Sequence, residues 1–168
     1  MASRELGEHA GFSQNPHRWR VAMARLREAE GALAAAFDLL DAAERLYNGD
    51  FSPNVRPISA LKARVRIAQG DVGHALAWAH ERHLSVDDDL SYLQEFEHVT
   101  LARTLLARHT TDRAGRPLHE ATRLLERLLV VSEQGGLRGS VVEILALQAL
   151  AQQDEVAFRR RLHRSKRR

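Results

Sequence analysis

The stretch ARVRIAQGDVGHALAWA, residues 63–79, contains the pattern that decides the fold. Apolar residues recur at steps of three and four in its first half and again in its second, which is the spacing of a helix with one buried face. Gly70-Asp71 separates the halves, and glycine adopts the left-handed conformation at a helix end without strain. The stretch therefore predicts two antiparallel helices joined by a tight turn.

A short motif from this stretch recurs along the chain at a fixed interval. Segments 24–29, 63–68 and 102–107 all begin with Ala-Arg and follow one another at 39 residues, and a looser copy at 146–151 follows after 44. That period lies between the tetratricopeptide and the HEAT or armadillo lengths. Alanines near each turn allow the paired helices to approach closely. A repeat of helix pairs is the prediction, and chance periodicity in an ordinary helical bundle is the alternative.

The same periodicity extends through most of the sequence, and no window alternates like a strand. We predict an all-α fold of tetratricopeptide-like antiparallel helix pairs in a short right-handed superhelix. Residues 1–16 are expected to be a flexible N-terminus, 17–158 the repeat domain and 159–168 a basic tail. The predicted helices are 17–29, 32–47, 57–69, 72–83, 90–108, 117–134, 139–152 and 154–164.

Composition narrows the function classes. The 168 residues include no cysteine, which excludes disulfides and cysteine-ligated metal sites. No uninterrupted apolar segment is long enough to span a membrane, and residues 1–16 lack the apolar run of a signal peptide. We therefore expect a cytoplasmic protein with no membrane association.

The net charge of +3 conceals an asymmetry. Seven of the last ten residues are Lys or Arg, and the rest of the chain has 18 basic and 22 acidic residues. The high pI thus comes from a short tail, whereas a nucleic-acid-binding domain more often has a basic folded face. We expect at most weak nucleic-acid contact, through the tail.

Two segments carry a family resemblance that helix propensity alone would not produce. They are Asp50–Pro57 (DFSPNVRP) and Leu84–His98 (LSVDDDLSYLQEFEH), flanked by Ala43–Tyr47, residues 63–70 and Ala75–Ala79. From about His17 to Gln153 the chain closely resembles the tetratricopeptide-like region of MalT-like, LuxR-type ATP-dependent transcriptional regulators.

This resemblance implies a sensor that binds an inducer or partner, without fixed catalytic residues in the region. In such regulators the tetratricopeptide-like region lies between a P-loop ATPase domain and a helix-turn-helix domain. The chain lacks both, including the Gly-x4-Gly-Lys-Ser/Thr phosphate loop. We therefore expect a fragment, a truncated member or a stand-alone relative that acts without a cofactor, and neither ATP hydrolysis nor promoter binding is carried over.

Architecture suggests where binding would occur, since the first helices of stacked pairs usually line the inner surface. The candidates for this concave surface are Trp19, Arg20, Arg27, Lys62, Arg66, Trp78, Glu95 and His98. A second candidate surface is an exposed apolar strip for self-association or a partner, in the almost wholly apolar segment 141–150. Its residues are Val141, Ile144 and Leu145.

Other motifs are weak. Glu95-x-x-His98 has no second copy to complete a di-iron site, and His80-x-x-His83 lacks two further zinc ligands. Gly135–Ser140 follows no strand and precedes no lysine, so we interpret it as a helix end, a turn and a serine N-cap. Ser85–Asp89 is interpreted as the N-terminal cap of the following helix. We assign no catalytic or metal-binding residue.

Two hypotheses remain. The chain is either a non-catalytic sensor module that binds a small-molecule inducer or a protein, or a stand-alone protein that contacts nucleic acid through its tail. Deleting Arg159–Arg168 distinguishes them. For the first we expect nucleic-acid binding to be unchanged by the deletion, measured as anisotropy of a labelled duplex over a range of salt. Phosphate contacts by the tail would instead give binding that weakens steeply with salt. Loss of such binding on deletion would support the second hypothesis.

Overall fold

The computed structural model describes residues 15–47, 54–113 and 115–165. Within these ranges the chain forms seven α-helices and no strand, and none of the helices is long and apolar enough to cross a membrane. The helices are α1 (Asn15–Ala29), α2 (Leu33–Arg45), α3 (Ile58–Ala68), α4 (Val72–Glu81), α5 (Glu95–Asp112), α6 (Gly115–Gln134) and α7 (Arg138–Ser165).

The helices stack as consecutive pairs. α1 packs on α2, α3 on α4 and α5 on α6, and the second helix of each pair packs on the first helix of the next unit. The first helices also touch one another along the stack, α3 with α5 and α5 with α7. This arrangement confirms the predicted all-α fold of tetratricopeptide-like helix pairs.

The turns within and between pairs have one recurring geometry. Gly31, Gly70 and Gly136 all have positive φ, and each follows the end of a helix. At Gly70 the Asp71 N–H donates to the Arg66 carbonyl at 2.9 Å and the Gly70 N–H donates to the Ile67 carbonyl at 3.0 Å. These two bonds define a Schellman cap, which satisfies carbonyls that the helix end leaves free.

The third pair departs from the 39-residue interval. Arg113 holds the left-handed position at the end of α5 with φ 53°, although it is not glycine. It lies 43 residues after Gly70, whereas Gly70 lies 39 after Gly31. α5 is therefore about one turn longer than the interval predicts. This extra turn explains why the fourth copy of the motif follows at 44 residues.

Alanine makes the close contacts between helices. Ala36, Ala43, Ala60 and Ala75 have no exposed surface, as is also true of Ala102 and Ala121. One core cluster joins α1, α2 and α3, and a larger one extends from α3 to α7. Leu61 packs against both clusters, so α3 links them.

Three predictions about element bounds were wrong. The helix expected at 90–108 begins at Glu95, and the helices expected at 139–152 and 154–164 form one continuous α7. No glycine or proline interrupts the chain near residue 153, so nothing there ends a helix. Ser140 lies inside α7, which begins at Arg138, and is therefore not an N-cap.

The segment Ser85–Asp89 also differs from its predicted role as a helix cap. It forms a turn before α5, in which the Ser85 N–H donates to Asp88 Oδ2 at 2.8 Å. Arg127 of α6 donates to the carbonyls of Val86 and Asp88, and Arg123 pairs with Asp87 at 2.6 Å. The acidic loop is thus held in part by α6 and does not cap the start of α5.

The predicted terminal segments fall mostly outside the described part of the chain. α1 begins at Asn15, two residues before its predicted start, and residues 1–14 lie outside the description. At the other end, α7 continues to Ser165, while the side chains of the basic tail lie outside it.

Enlarging a buried alanine tests whether close approach holds the pairs together. We expect Ala36→Leu to lower the free energy of unfolding by about 1–3 kcal/mol, because the added carbons meet packed neighbours. Ala35→Leu makes the same change at the exposed neighbouring position and should change the free energy of unfolding by less than about 0.5 kcal/mol. Urea unfolding followed by circular dichroism measures both, and equal effects would contradict the packing argument.

Candidate functional site

The first helices of all four units line one groove, which we name the first-helix groove. It has a volume of about 340 Å³, the size of a small-molecule site. The groove lies between α1, α3, α5 and α7, with Arg56 just before α3 also in its wall. Its charged side chains are Arg25, Glu28, Arg56, Arg64, Glu95 and Glu143.

Arg64 is the most constrained side chain of the groove. Its Nε donates to Thr100 Oγ1 at 2.8 Å, and its Nη1 lies 3.0 Å from Glu143 Oε1. The guanidinium carbon lies 3.8 Å from the centre of the Phe96 ring, within cation–π distance. Only 15% of the side chain is exposed. Contacts to α5 and α7 therefore fix the plane and position of this cation.

One nitrogen of Arg64 lacks a partner. Nη2 is buried and forms no hydrogen bond within the described residues. Burial lowers the pKa of Arg64, but arginine stays protonated at neutral pH. A buried N–H without an acceptor costs roughly 1–3 kcal/mol, so an oxygen atom that accepts from Nη2 would be bound favourably.

Glu143 is shared by two arginines. Arg103 Nε donates to its Oε1 at 2.8 Å, while Arg64 binds the same carboxylate. Burial acts to raise the pKa of Glu143, yet the two neighbouring guanidinium groups outweigh it and hold that pKa below its usual value. Glu143 is therefore ionised at neutral pH, with two cations against one anion.

Glu95 has a different environment in the same groove. Burial raises the pKa of Glu95, and the negative charge of Glu143 adds to that effect. A hydrogen bond from Ser140 and the charges of Arg64 and Arg56 act in the opposite direction without reversing it. Glu95 accordingly takes up a proton more readily than an exposed glutamate does.

A second cavity lies on another side of α3. This α2–α4 cleft has a volume of about 270 Å³ and is lined by α2, α3 and α4. Lys62 Nζ and Arg66 Cζ lie 5.1 and 4.0 Å from the centre of the Phe37 ring. Lys62 also pairs with Asp41 and Glu44, and Arg66 lies 3.4 Å from Asp71. Trp78 lines the cleft from α4, and its buried Nε1 has no partner within the described residues.

The eight residues predicted for a concave surface are thus divided among several places. Glu95 lines the first-helix groove, whereas Lys62, Arg66 and Trp78 line the α2–α4 cleft. Arg27 is exposed on α1 and pairs with Glu30 at 2.7 Å. The expected first helices do line the groove, but Glu95 is the one predicted residue in its described wall.

Trp19 and Arg20 also lie outside that wall. Both are half-buried on α1, with the Arg20 guanidinium carbon 5.9 Å from the centre of the Trp19 ring.

Helical phase explains the difference between predicted and observed lining residues. A step of two residues turns a helix by about 200°, so Arg64 faces the opposite way from Lys62 and Arg66 on α3. The repeated Ala-Arg motif is the sequence signal that could have identified the groove residues. Arg25, Arg64 and Arg103 occupy the same Ala-Arg position of three consecutive copies, 39 residues apart. Two line the groove and the third binds its Glu143.

His98 is not a surface residue, contrary to its predicted place on the binding surface. Its side chain is fully buried, with Nε2 3.0 Å from Asp88 Oδ2 and Nδ1 3.0 Å from the Gln94 carbonyl. Both ring nitrogens therefore lie within hydrogen-bond distance of an oxygen atom. Burial acts to raise the pKa of Asp88, but hydrogen bonds from Ser85 and His98 lower it below its usual value. This pair ties the acidic loop to α5.

The apolar strip predicted on α7 has different members. Ile144 has no exposed surface and belongs to the larger core cluster, and Val141 is half-buried. Leu145 is exposed as expected, together with Val142, Leu150 and Val156. Ile144 faces inward because α6 packs on that side of α7. Self-association through the exposed residues stays a prediction.

Other candidate motifs show no clustering of ligands. No group of three or more His, Asp or Glu within the described ranges could hold a metal ion. His80 and His83 are both exposed, and His83 has φ 53° in the turn after α4. Glu95 and His98 lie one turn apart but make separate contacts, in the groove and with Asp88.

Truncating His98 tests its role in anchoring the loop. We expect His98→Ala to lower the free energy of unfolding by about 2–4 kcal/mol, since it leaves a cavity and removes the partner of Asp88. His80→Ala removes an exposed imidazole and should have an effect below about 0.5 kcal/mol. Urea unfolding measures both, and a small effect of His98→Ala would show that the loop is held without it.

Comparison with known proteins identifies the family. The family model described as the MalT-like TPR region matches residues 3–157. Curated proteins and solved structures include no significant match to the chain. The matched range spans most of the sequence and all of α1 to α6, whose stacked pairs have the architecture expected of tetratricopeptide repeats. The chain therefore belongs to the MalT-like tetratricopeptide region family.

Proposed function

We propose that this chain is a non-catalytic, cytoplasmic binding module related to LuxR-type transcriptional regulators, which senses a small-molecule inducer or a protein partner. The observation that carries the proposal is the first-helix groove, where side chains from four helices meet in a volume of about 340 Å³. A site built across repeats couples a ligand to the stacking of those repeats. Binding there can therefore change the relative positions of helices that are far apart in sequence.

The groove residues support binding more than chemistry. Glu95 has a raised pKa and could in principle exchange a proton. However, the described lining residues include no histidine and no cluster of metal ligands. Ser140 is the one serine among them, and it is hydrogen-bonded to Glu95. A general acid or base without a positioned nucleophile has little to act on. The proposal accordingly assigns Glu95 a role in binding.

Filling the groove with a side chain tests the proposal. Gly139 lines the groove, and a Cβ atom added there meets nothing within 4 Å. Gly73 on α4 is equally open and lies outside the groove. Gly139→Tyr should therefore block the groove, while Gly73→Tyr provides a matched control with the same added ring.

The measurement is a thermal-shift screen of a mixed metabolite library that includes acids, amines, sugars and neutral compounds. A ligand at about 100 times its Kd should raise the Tm of the unmodified chain by roughly 5–10 °C. We expect Gly139→Tyr to abolish the shift, Gly73→Tyr to retain it, and NMR to show the ligand chemically unchanged. A ligand whose shift survives Gly139→Tyr, or one that is turned over, would contradict the proposal.

A further inference from the structure

We propose that the first-helix groove binds a small organic oxyanion, a carboxylate or a phosphate ester, through Arg25, Arg56 and the free Nη2 of Arg64. This inference rests on the proposed function and adds the chemical class of the ligand. It is drawn from which arginines of the groove are already paired and which are not.

Two arginines at the repeated Ala-Arg position already hold a carboxylate. Arg64 and Arg103 both bind Glu143, at 3.0 and 2.8 Å. The repeat thus places guanidinium groups where a carboxylate is bound from two sides. Charge-assisted bonds of this kind are stronger than neutral hydrogen bonds, and arginine forms them with both carboxylates and phosphates.

The other half of the groove has cations without such a partner. Arg25 is the equivalent of Arg64 one repeat earlier, and Arg56 lies just before α3. Both are exposed, and neither forms an ion pair or a hydrogen bond within the described residues. Arg64 Nη2 is buried and likewise has no hydrogen-bond partner within the described residues. Three donors from α1, α3 and the segment before α3 are therefore available to one ligand.

The acidic residues of the groove do not cancel these cations. Glu143 is bound by Arg64 and Arg103. Glu95 accepts a hydrogen bond from Ser140 and feels the charge of Arg56, but burial and the charge of Glu143 raise its pKa. Glu28 is exposed on α1, one turn from Arg25, and forms no ion pair. The lining itself has three guanidinium groups and three carboxylates, and Arg103 adds a fourth guanidinium from outside the lining, bound to Glu143. The balance favours an anion over a cation.

The remaining lining limits the size and character of the ligand. Phe96 is mostly buried, and Arg64 and Arg56 lie 3.8 and 5.4 Å from its ring centre. Val21 and Leu61 add aliphatic surface. A ligand with an oxyanion and a short carbon skeleton satisfies both the cations and this apolar surface within about 340 Å³.

Isothermal titration calorimetry with matched probes tests the assignment. The probes are succinate against its uncharged diamide, and glycerol 3-phosphate against glycerol. We expect at least one acid to bind about tenfold or more tightly than its uncharged partner, since the charged hydrogen bonds are lost in the latter. The acid that binds distinguishes a carboxylate site from a phosphate site. Binding should weaken as salt rises.

Variants locate the bound anion. The double variant Arg25→Gln with Arg56→Gln should weaken the preferred acid about tenfold or more, because it removes two charged donors. Both side chains are exposed and form no ion pair or hydrogen bond within the described residues, and Arg56 lies 5.4 Å from the centre of the Phe96 ring. The fold should therefore be retained, as circular dichroism would verify. Arg116→Gln removes an arginine that is 88% exposed on α6 and should leave the affinity unchanged.

The outcomes separate this inference from the proposed function. Failure of both acids to bind, or equal binding of the uncharged partners, overturns the oxyanion assignment. An uncharged library ligand whose thermal shift is abolished by Gly139→Tyr would then still support the proposed function. Absence of any groove ligand in the library screen would remove both.

Discussion

Close approach of paired helices through alanine is the constraint on which the rest of this structure depends. Ala36 and Ala75 lie within the second helices of their pairs and have no exposed surface. The first two pairs turn on left-handed glycines, Gly31 and Gly70, with the same two capping hydrogen bonds, and Gly136 repeats this cap between α6 and α7. Because a cap and a buried alanine fix how each helix is rotated, equivalent residues of successive repeats face the same side.

That repetition has a consequence for charge. The Ala-Arg dipeptide places its alanine in the core and its arginine on the groove side of the first helix: Ala24, Ala63 and Ala102 are buried, and their arginines line the groove or bind its Glu143. A motif that packs the helices thus also positions cations in register. The protein needs no separate device to align them, since the fold repeats the geometry.

The acidic loop before α5 shows a second way in which a repeat array is held together. Here the loop between two pairs is bound by Arg123 and Arg127 of α6 and by the buried His98 of α5. Charged hydrogen bonds to backbone carbonyls and a buried pair replace the apolar packing that a longer helix would provide. The position of the loop also explains why α5 begins at Glu95, which leaves Glu95 and Phe96 at the groove.

Sequence alone determined the all-α class, the helix pairs, the glycine turns and the family, because helix periodicity and caps are local and the repeat interval is visible in the residue numbers. It also pointed to the first helices as a lining surface, and these helices line the groove. It did not determine which residues face the groove: Lys62 and Arg66 line the α2–α4 cleft, and Arg64 between them lines the groove. Nor did it show that His98 and Ile144 are fully buried. Only the packing of neighbouring helices decides these points, since rotation about a helix axis is fixed by tertiary contacts and not by periodicity alone.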